Sequence, residues 1–381
     1  MSRLVGGGSV FKRASGRWVG EIDSGWSEGK RARRTVYGDS RASVVDQLKT
    51  LAHNRELGAV QAGKVPTVGT FLEQWLQESA KPTVRPSTFV SYSTIVKAHL
   101  VPGLGRVRLD RLTPQMVQTF LNQKHAAGLS PRRVEYIRAV LRRALGQAVK
   151  WRTLPQNVAS LVDPPKVEHR LVAPMTPADA QAVVAAFQGH RLEGLVTVML
   201  GLGLRLGEAL GLKWSEVDLD LRRVSIVATL QRLPDEDGVR QWVLGKPKSS
   251  QSNRTFPLPE VVTDALQAER SRQRRAQLAA GPAWQETGFV FTGQTGQPWT
   301  QNGALHAFQH QLAVAGIPKM RLHDLRHGCA TLLLAKKVPA RVVMEILGHS
   351  QISMTMNTYS HVVPDLLSDA AEAMDAALRP A

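Results

Sequence analysis

A chain of 381 residues is too long for one ordinary domain, and its hydrophobic content of 43% suffices for buried cores, which excludes a disordered tail. The formal net charge of +18 indicates a polyanionic partner, most commonly nucleic acid, although a ribosome-associated or simply well-solvated protein stays open. The single cysteine, Cys329, excludes an internal disulfide and argues against a cysteine-based zinc module. The N-terminus lacks a signal-peptide pattern and no apolar run is long enough to span a bilayer, so we expect a cytoplasmic protein without a membrane partner.

The first 63 residues predict a small domain with a three-stranded β-sheet and one helix. Short alternating segments at Ser9–Lys12, Arg17–Ile22 and Arg33–Tyr37 are separated by turn signals, and a helical pattern follows from Arg41 to Leu57. Residues 1–64 contain 12 basic and 6 acidic residues. A sheet so rich in cations could enter a DNA groove, and a merely solvated basic face is an equally open interpretation. The candidate DNA-binding side chains here are Lys12, Arg13, Arg17, Arg31, Arg33 and Arg34.

Residues 66–165 predict an all-helical domain, separated from the first by a linker around residues 62–66. Thr113-Pro114 and Ser130-Pro131 each predict a helix start, because threonine and serine cap helices and proline suits the first turn. The helix after Ser130 has an apolar side and a side lined with arginine, as expected of a bundle helix that faces phosphates. Its candidate DNA-binding residues are Arg132, Arg133, Arg138, Arg142 and Arg143.

Residues 172–381 predict a third, mainly helical domain that contains a small antiparallel β-sheet. The predicted strands are Arg223–Leu230, Gln241–Leu244 and Arg254–Leu258. A proline-rich linker precedes this domain, and the spacing of apolar residues in Leu366–Leu378 predicts an amphipathic tail helix. The predicted fold class is therefore α+β multidomain, with a sheet-plus-helix domain, an all-α domain and a mainly α domain with a small sheet.

Four short stretches of this third domain contain the residues suited to chemistry. The first, LGLGLRLGEALGLKW, contains Arg205 and Glu208, which alone would be a surface ion pair on a glycine-broken core helix. The second, LGKPKSSQSNRTFPLP, contains Lys248 shortly before a predicted strand with Arg254, and alone it would be a basic hairpin loop.

The third and fourth stretches place histidines near an arginine and a tyrosine. In RLHDLRHGCATLLLA, His323 and Arg326 are three residues apart and share one helix face. A metal site at His323 and His327 is a rival interpretation, but the stretch lacks the intervening glutamate of the zinc-protease motif. The stretch ILGHSQISMTMNTYSHV contains His349 and Tyr359, and a tyrosine among polar residues is usually only a tyrosine.

Taken in order, the four stretches resemble the tyrosine recombinases of the phage integrase kind. That family has an arginine in a GLR-x-GE segment, a lysine on a β-hairpin, H-x-x-R, then L-G-H and a tyrosine near T-x-x-x-Y-x-H. The resemblance covers essentially the whole chain: it implies that residues 1–63 are an arm-type DNA-binding domain, residues 66–165 a SAM-like core-binding domain, and residues 172–381 the catalytic domain. It implies a site-specific DNA recombinase that integrates or excises a phage or other mobile element without ATP, metal or other cofactor.

The resemblance also implies a role for each matching residue. Tyr359 is the nucleophile that forms a 3′-phosphotyrosine, and this bond conserves the energy needed for rejoining. Arg205 and Arg326 bind the non-bridging phosphate oxygens, because the planar guanidinium matches their geometry. Glu208 orients Arg205 or a histidine rather than reacting.

The remaining catalytic residues implied are two histidines and a lysine. His323 and His349 donate or relay hydrogen bonds at the phosphate or assist removal of the tyrosine proton. Lys248 protonates the departing 5′-oxygen, and Lys246, two residues away, is an open alternative for that role. Gly328 departs from the family, in which many members have a small hydroxyl residue, and we expect only a slightly less stable helix.

The implied partners are double-stranded DNA attachment sites of core and arm type, a homotetramer in which the C-terminal tail docks on a neighbour, a host DNA-bending factor and an excision-directing factor.

Two alternative functions remain open from the sequence. One is a type IB topoisomerase-like enzyme that relaxes supercoils, against which the basic N-terminal sheet argues. The other is a catalytically silent DNA-binding protein, which the filled catalytic positions do not favour. A chromosome-dimer-resolving recombinase is disfavoured because such proteins generally lack the N-terminal domain.

Overall fold

The computed structural model describes residues 2–3, 8–14, 16–27, 30–56, 65–167, 174–235, 237–245 and 253–348. The chain divides into two compact units, Met1–Arg170 and Leu171–Ala381. The domain boundaries predicted from the sequence, between residues 63 and 66 and between residues 165 and 172, involve residues outside these ranges and stay predictions.

The N-terminal part of the first unit is an antiparallel sheet covered by one helix. Its strands follow the order of the chain, and its elements are β1 (Ser2–Arg3), β2 (Ser9–Lys12), β3 (Trp18–Ser27), β4 (Lys30–Gly38) and α1 (Arg41–Glu56). The three predicted strands and the helix are present, and the two-residue strand β1 adds a fourth strand that the sequence did not predict. Val10, Ile22, Val44 and Leu48 form a small core between sheet and helix. Gly20 permits this packing, since a Cβ there would lie 2.6 Å from Val44 Cγ1.

The rest of the first unit is helical and encloses its own hydrophobic core. Its elements are α2 (Val68–Trp75), a π-helical turn (Leu76–Ala80), α3 (Lys81–Thr83), α4 (Pro86–Ile95), a second π-helical turn (Val96–Leu100), α5 (Val101–Leu104), a 3-10 turn (Leu109–Arg111), α6 (Pro114–Ala126), α7 (Pro131–Lys150) and a 3-10 turn (Val158–Ser160). The predicted caps are confirmed: Thr113 accepts a hydrogen bond from the Met116 amide, and Ser130 accepts one from the Arg133 amide. Each side chain thus satisfies a backbone donor that lacks an intrahelical partner.

The second unit is mainly helical. Its helices are α8 (Pro177–Ala186), α9 (Glu193–Leu202), α10 (Leu206–Leu210), α11 (Glu260–Ala280), α12 (Gln301–Val314), α13 (Leu322–Ala335) and α14 (Ala340–Leu347), with 3-10 turns at Trp214–Glu216 and Gly281–Ala283. Helix α9 lies at the centre, because eight of its ten residues are buried. A helix that is apolar on all sides is buried on all sides, and α11 and α13 pack against it.

The strands of the second unit form two small antiparallel sheets instead of the single predicted one. The strands are β5 (Val217–Asp218), β6 (Arg223–Ile226), β7 (Thr229–Pro234), β8 (Arg240–Gly245) and β9 (Arg254–Pro257). The first sheet has the order β5-β6-β9 and the second pairs β7 with β8. The segment predicted as one strand, residues 223–230, is therefore interrupted at Val227 and Ala228. Beyond the break, Thr229 packs so closely on α10 that a Cβ on Gly207 would lie 2.5 Å from Thr229 Oγ1.

Within the described ranges, no helix combines the length and apolarity needed to cross a membrane.

Candidate active site

Arg205 is presented by the tight junction between α9 and α10. Helix α9 ends at Gly203, which adopts a left-handed conformation (φ 60°, ψ 30°) that glycine tolerates best. Arg205 then has an extended backbone (φ −71°, ψ 147°) and directly precedes α10. A Cβ at Gly203 would lie 2.5 Å from Leu347 Cδ2 and 3.2 Å from Cys329 Sγ. The glycine therefore lets α9, α13 and α14 approach one another at the point where Arg205 begins.

Glu208 is a buried carboxylate that binds two arginines. Its side chain is 3% exposed, and it accepts hydrogen bonds from Arg205 Nη1 at 2.6 Å and from Arg254 Nη2 at 3.0 Å. It also accepts one from the Arg205 backbone amide at 3.1 Å. Burial by itself raises the pKa of Glu208, but the charges and hydrogen bonds of Arg254 and Arg205 outweigh it and lower the pKa below its usual value. Glu208 is therefore ionised at neutral pH and orients both guanidinium groups, which agrees with the orienting role expected of it.

Arg326 lies on the buried face of α13, one turn from His323. The residue is 2% exposed, and its guanidinium donates to two backbone carbonyls, from Nη1 to Gly203 at 2.7 Å and from Nη2 to Leu347 at 2.7 Å. These bonds fix the guanidinium where α9 ends and α14 ends. Arg205 and Arg326 thus donate to adjacent carbonyls. Arg205 Nη2 donates to Gly348, the residue after Leu347, at 3.1 Å.

The C-terminal end of α14 is the element on which these contacts meet. The last carbonyls of a helix have no intrahelical partner and are satisfied by caps, water or side chains. Here Ile346 accepts from Arg254 Nε at 2.8 Å, Leu347 accepts from Arg326, and Gly348 accepts from Arg205. Gly348 ends the helix in a left-handed conformation (φ 63°), and His349 follows it directly in the sequence.

His323 and His327 lie edge to face on α13, with ring centroids 5.0 Å apart. Partial burial of the ring, followed by the positive charges of His327 and Arg326, lowers the pKa of His323 to about 4. His323 is therefore neutral at pH 7 and offers one N–H donor and one acceptor. Among the residues that the structure describes, no three potential metal ligands come together around this pair.

Several predicted site residues lie outside the described residues. They are Lys248 and its alternative Lys246, His349, Tyr359 and the tail helix at Leu366–Leu378. Their roles stay predictions. The described structure brings together Arg205, Glu208, His323 and Arg326, and it adds Arg254, which sequence analysis had noted only as a basic residue of a predicted strand.

Gly328 is buried on α13, where a Cβ would collide with the sulphur of Met175 and lie 3.3 Å from Leu200 Cδ1. Glycine at this position therefore makes room for a core contact, a role beyond the small loss of helix stability that the sequence predicted.

A second buried ion-pair cluster lies elsewhere in the unit, between α9 and α11. Arg272 binds both Glu269 of its own helix and Glu193, with nitrogen–oxygen distances of 2.5 and 3.2 Å. Burial raises the pKa of Glu269 to about 7, against the opposing charge of Arg272.

The candidate DNA-binding arginines of α7 occupy the side predicted for them. Val134, Ile137 and Leu141 are buried, whereas Arg132, Arg142 and Arg143 are exposed and Arg133 and Arg138 are half-buried. Arg132 pairs with Glu135 at 2.6 Å, and Arg143 lies over the ring of Tyr92 at 5.7 Å. In the N-terminal sheet, Lys12, Arg13, Arg17 and Arg33 are exposed, and the side chains of Arg31 and Arg34 lie outside the described residues. The DNA-binding roles themselves stay predictions.

Comparison with known proteins gives matches along almost the whole chain. The profile of the Phage integrase family matches residues 174–365, and that of the phage integrase N-terminal SAM-like domain matches residues 67–125. An integrase of Saccharopolyspora erythraea is 29% identical, with 97% of this chain and 96% of the relative covered. A XerC-like tyrosine recombinase of Caldanaerobacter subterraneus is 28% identical, with 91% and 92% covered.

Solved structures share the fold. The Tn1549 transposon integrase in complex with transposon right end DNA has a TM-score of 0.68 at 21% identity and covers 81% of this chain and 99% of its own. A lambda integrase tetramer bound to a Holliday junction has a TM-score of 0.56 at 15% identity and covers 90% and 96%. These likenesses confirm the predicted α+β multidomain fold class.

Proposed function

Since the chain belongs to the phage integrase family and is a site-specific recombinase, we propose that it cleaves and rejoins double-stranded DNA through a covalent 3′-phosphotyrosine at Tyr359. The relatives are named as integrases and recombinases, which supports this activity and neither a topoisomerase-like enzyme nor a silent DNA-binding protein. The observation that best supports the proposal is the arrangement around the end of α14. Arg205 and Arg326 donate to adjacent carbonyls there, one residue before His349.

The two arginines bind the scissile phosphate in this proposal. Attack on phosphorus produces a pentavalent transition state with extra negative charge on the non-bridging oxygens. Arg205, 26% exposed, presents donors beyond those bonded to Glu208 and Gly348. Arg326 adds a second positive charge from a position fixed by two carbonyls. Guanidinium groups held in place before DNA binds need little rearrangement in the transition state, and losing one of them costs on the order of 3 kcal/mol of barrier.

The remaining residues move protons. The Tyr359 oxygen forms the bond to phosphorus while the bond to the 5′-oxygen breaks, and Lys248 donates a proton to that oxygen. His323, neutral at pH 7, donates one ring N–H to a phosphate oxygen without adding charge, and His323 or His349 accepts through a ring nitrogen the proton that Tyr359 loses. Rejoining reverses these steps: the 5′-hydroxyl attacks the phosphotyrosine, Lys248 takes up the hydroxyl proton, and the tyrosine leaves and recovers its proton from the histidine.

The N-terminal residues bind DNA in the same proposal. The exposed arginines of α7 contact phosphates of the core site, and the sheet of residues 1–63 contacts an arm site through its exposed cations. Four copies assemble on the DNA, with a host bending factor and an excision-directing factor as further partners, and the reaction integrates or excises a phage or other mobile element. Two features support this part: the concentration of positive charge in residues 1–165 and the match of the helical region to the SAM-like domain.

The test compares the purified wild-type protein with Tyr359→Phe on supercoiled plasmid that contains DNA from the boundaries of its own element, without magnesium or ATP. Denaturing gels then detect protein covalently attached to DNA and recombinant junctions. We expect both products from the wild type and neither from the variant, with equal DNA affinity for the two proteins. Adduct formation by Tyr359→Phe would remove Tyr359 from the mechanism, and relaxation without junctions would contradict recombination.

A further inference from the structure

Three consecutive carbonyls at the end of α14 accept hydrogen bonds from three arginines that come from three separate elements. Arg205 precedes α10, Arg326 lies on α13, and Arg254 lies on β9. The first two have a role at the phosphate in the proposed function. Arg254 has no assigned role, although its bond to Ile346, at 2.8 Å, is shorter than the Arg205 bond to Gly348, at 3.1 Å.

Arg254 is buried and donates hydrogen bonds both to Glu208 and to the end of α14. Its side chain is 8% exposed, compared with 26% for Arg205. One edge of the guanidinium donates from Nε to Ile346, and Nη2 donates to Glu208, the carboxylate that also binds Arg205. The planar guanidinium holds these two donors, Nε and Nη2, in a fixed relative geometry. A lysine has one ammonium group on a flexible stem and would not reproduce both bonds with that geometry.

The chain of contacts from Arg254 leads to Arg205 and to the end of α14. Through Glu208 it reaches the guanidinium of Arg205. Through Ile346 it reaches the end of α14, after which the sequence continues to His349 and Tyr359. A buried charge in such a network stays in place only while all its partners are present.

We propose that Arg254 is a positioning residue for the recombinase reaction, which holds Arg205 and the C-terminal end of α14 in one fixed arrangement. This inference rests on the proposed function. Arg254 acts through Glu208 and the α14 carbonyl and does not itself bind the phosphate. Since a displacement of about 1 Å at reacting groups costs on the order of 100-fold in rate, loss of Arg254 is expected to slow cleavage roughly 10- to 100-fold without weakening DNA binding.

The experiment measures single-turnover cleavage by Arg254→Gln and Arg254→Lys at saturating DNA, on a nicked duplex that contains the core site and traps the covalent adduct. Affinity for the same duplex and thermal unfolding are measured in parallel. Arg272→Gln is the matched control, because Arg272 is also a partly buried arginine shared by two carboxylates of this unit. We expect slow cleavage with unchanged affinity for both Arg254 variants. The control should lose stability but retain its cleavage rate per folded molecule.

A double variant separates positioning from a general loss of stability. If Arg254 acts through Glu208, Glu208→Gln combined with Arg254→Gln should cleave no more than about threefold slower than the slower single variant, whereas independent effects would multiply. Wild-type cleavage by Arg254→Lys, an equal loss in Arg272→Gln, or multiplying effects in the double variant would each overturn the positioning role. So would failure of both Arg254 variants to fold, which would make the residue a requirement for folding. Absence of adduct from the wild type would overturn the proposed function itself, and this outcome is visible before any Arg254 variant is tested.

Discussion

Replacing Glu208 with glutamine should strongly destabilise the second unit, because two arginines share this buried carboxylate. The carboxylate is 3% exposed and accepts charged hydrogen bonds from Arg205 at 2.6 Å and Arg254 at 3.0 Å. A glutamine has one acceptor oxygen, so one guanidinium loses its acceptor and faces an amide NH₂ group instead. Two bonds to charged groups contribute about 1.5–3 kcal/mol each, and removing one partner of a buried ion pair costs about 3–5 kcal/mol. We therefore expect Glu208→Gln to lower the free energy of unfolding by about 3–5 kcal/mol.

The same network predicts how the difference between wild type and variant depends on pH. The pKa of Glu208 is lowered on folding, so the unfolded chain binds a proton more readily than the folded one. The stabilisation is therefore fully present above the ordinary pKa of 4.5 and is lost as the pH falls through the lower folded value. Glu208→Gln lacks a titrating group there, so the stability gap between the two proteins should narrow below about pH 4.5.

Hydrogen exchange read by mass spectrometry is the suitable assay, because it reports on α10 and α14 separately from the first unit. Glu345→Gln serves as the control: Glu345 forms an exposed pair with Arg341 on α14, with side chains 63% and 69% exposed, and such pairs contribute little. If the protection of α10 and α14 in Glu208→Gln fell by less than about 1 kcal/mol, the hydrogen bonds through Arg205 and Arg254 would not be holding these helices together.

Three further predictions concern Gly203, His323 and the proposed proton donor. Gly203→Ala should lower the free energy of unfolding by about 2–4 kcal/mol, measured by denaturant titration, since it adds left-handed strain and a clash with Leu347; a change below 1 kcal/mol would contradict the packing. In the DNA-free protein, NMR titration should find His323 neutral down to about pH 5, and an inflection near pH 6.5 would refute this. Because the folded pKa of about 4 lies below the ordinary 6.5, the unfolded chain binds the proton more readily between these values. The stability of the wild type should therefore rise with pH over this range more steeply than that of His323→Asn. Lys248→Ala should fail to cleave ordinary DNA but should cleave a 5′-bridging phosphorothiolate substrate, because its thiolate leaves without a proton. Lys246→Ala should cleave both substrates. The opposite pattern would assign the proton donor to Lys246.

Local signals in the sequence were sufficient for the starts of α6 and α7 and for the buried face of α7. Thr113 and Ser130 cap helices through their own side chains, and the apolar stripe of α7 follows from spacing alone. Such features depend on residues three or four positions apart, so the sequence contains all the information needed to predict them.

The split of the second unit's strands depends on distant partners and was missed. Val227 and Ala228 are not turn residues, and Val227 favours strands, so nothing local marks the break. The break exists because β6 pairs with β9 while β7 pairs with β8 and packs on α10. Pairing of this kind is decided by the tertiary structure.

The site was predicted where a family pattern exists and missed where it does not. Arg205, Glu208, His323 and Arg326 were singled out by motif order, and the structure brings them together, while their catalytic roles stay predictions. Arg254 was noted only as a basic residue of a predicted strand, because Glu208 and Ile346, two of its partners, lie 46 and 92 residues away in the sequence. A buried arginine in a short strand demands an acceptor, but a sequence alone does not say which one.

The capping of α14 by arginines also affects how the protein's affinity for DNA should respond to salt. The end of a helix bears roughly half a negative charge, and together with Glu208 it neutralises much of the charge of the three guanidinium groups before DNA arrives. Cations already paired within the protein displace few counterions from DNA phosphates. The salt dependence of binding should therefore come mainly from the exposed basic residues in the first 165 positions, and removing a site arginine should alter the reaction rate while leaving the slope of affinity against salt nearly unchanged.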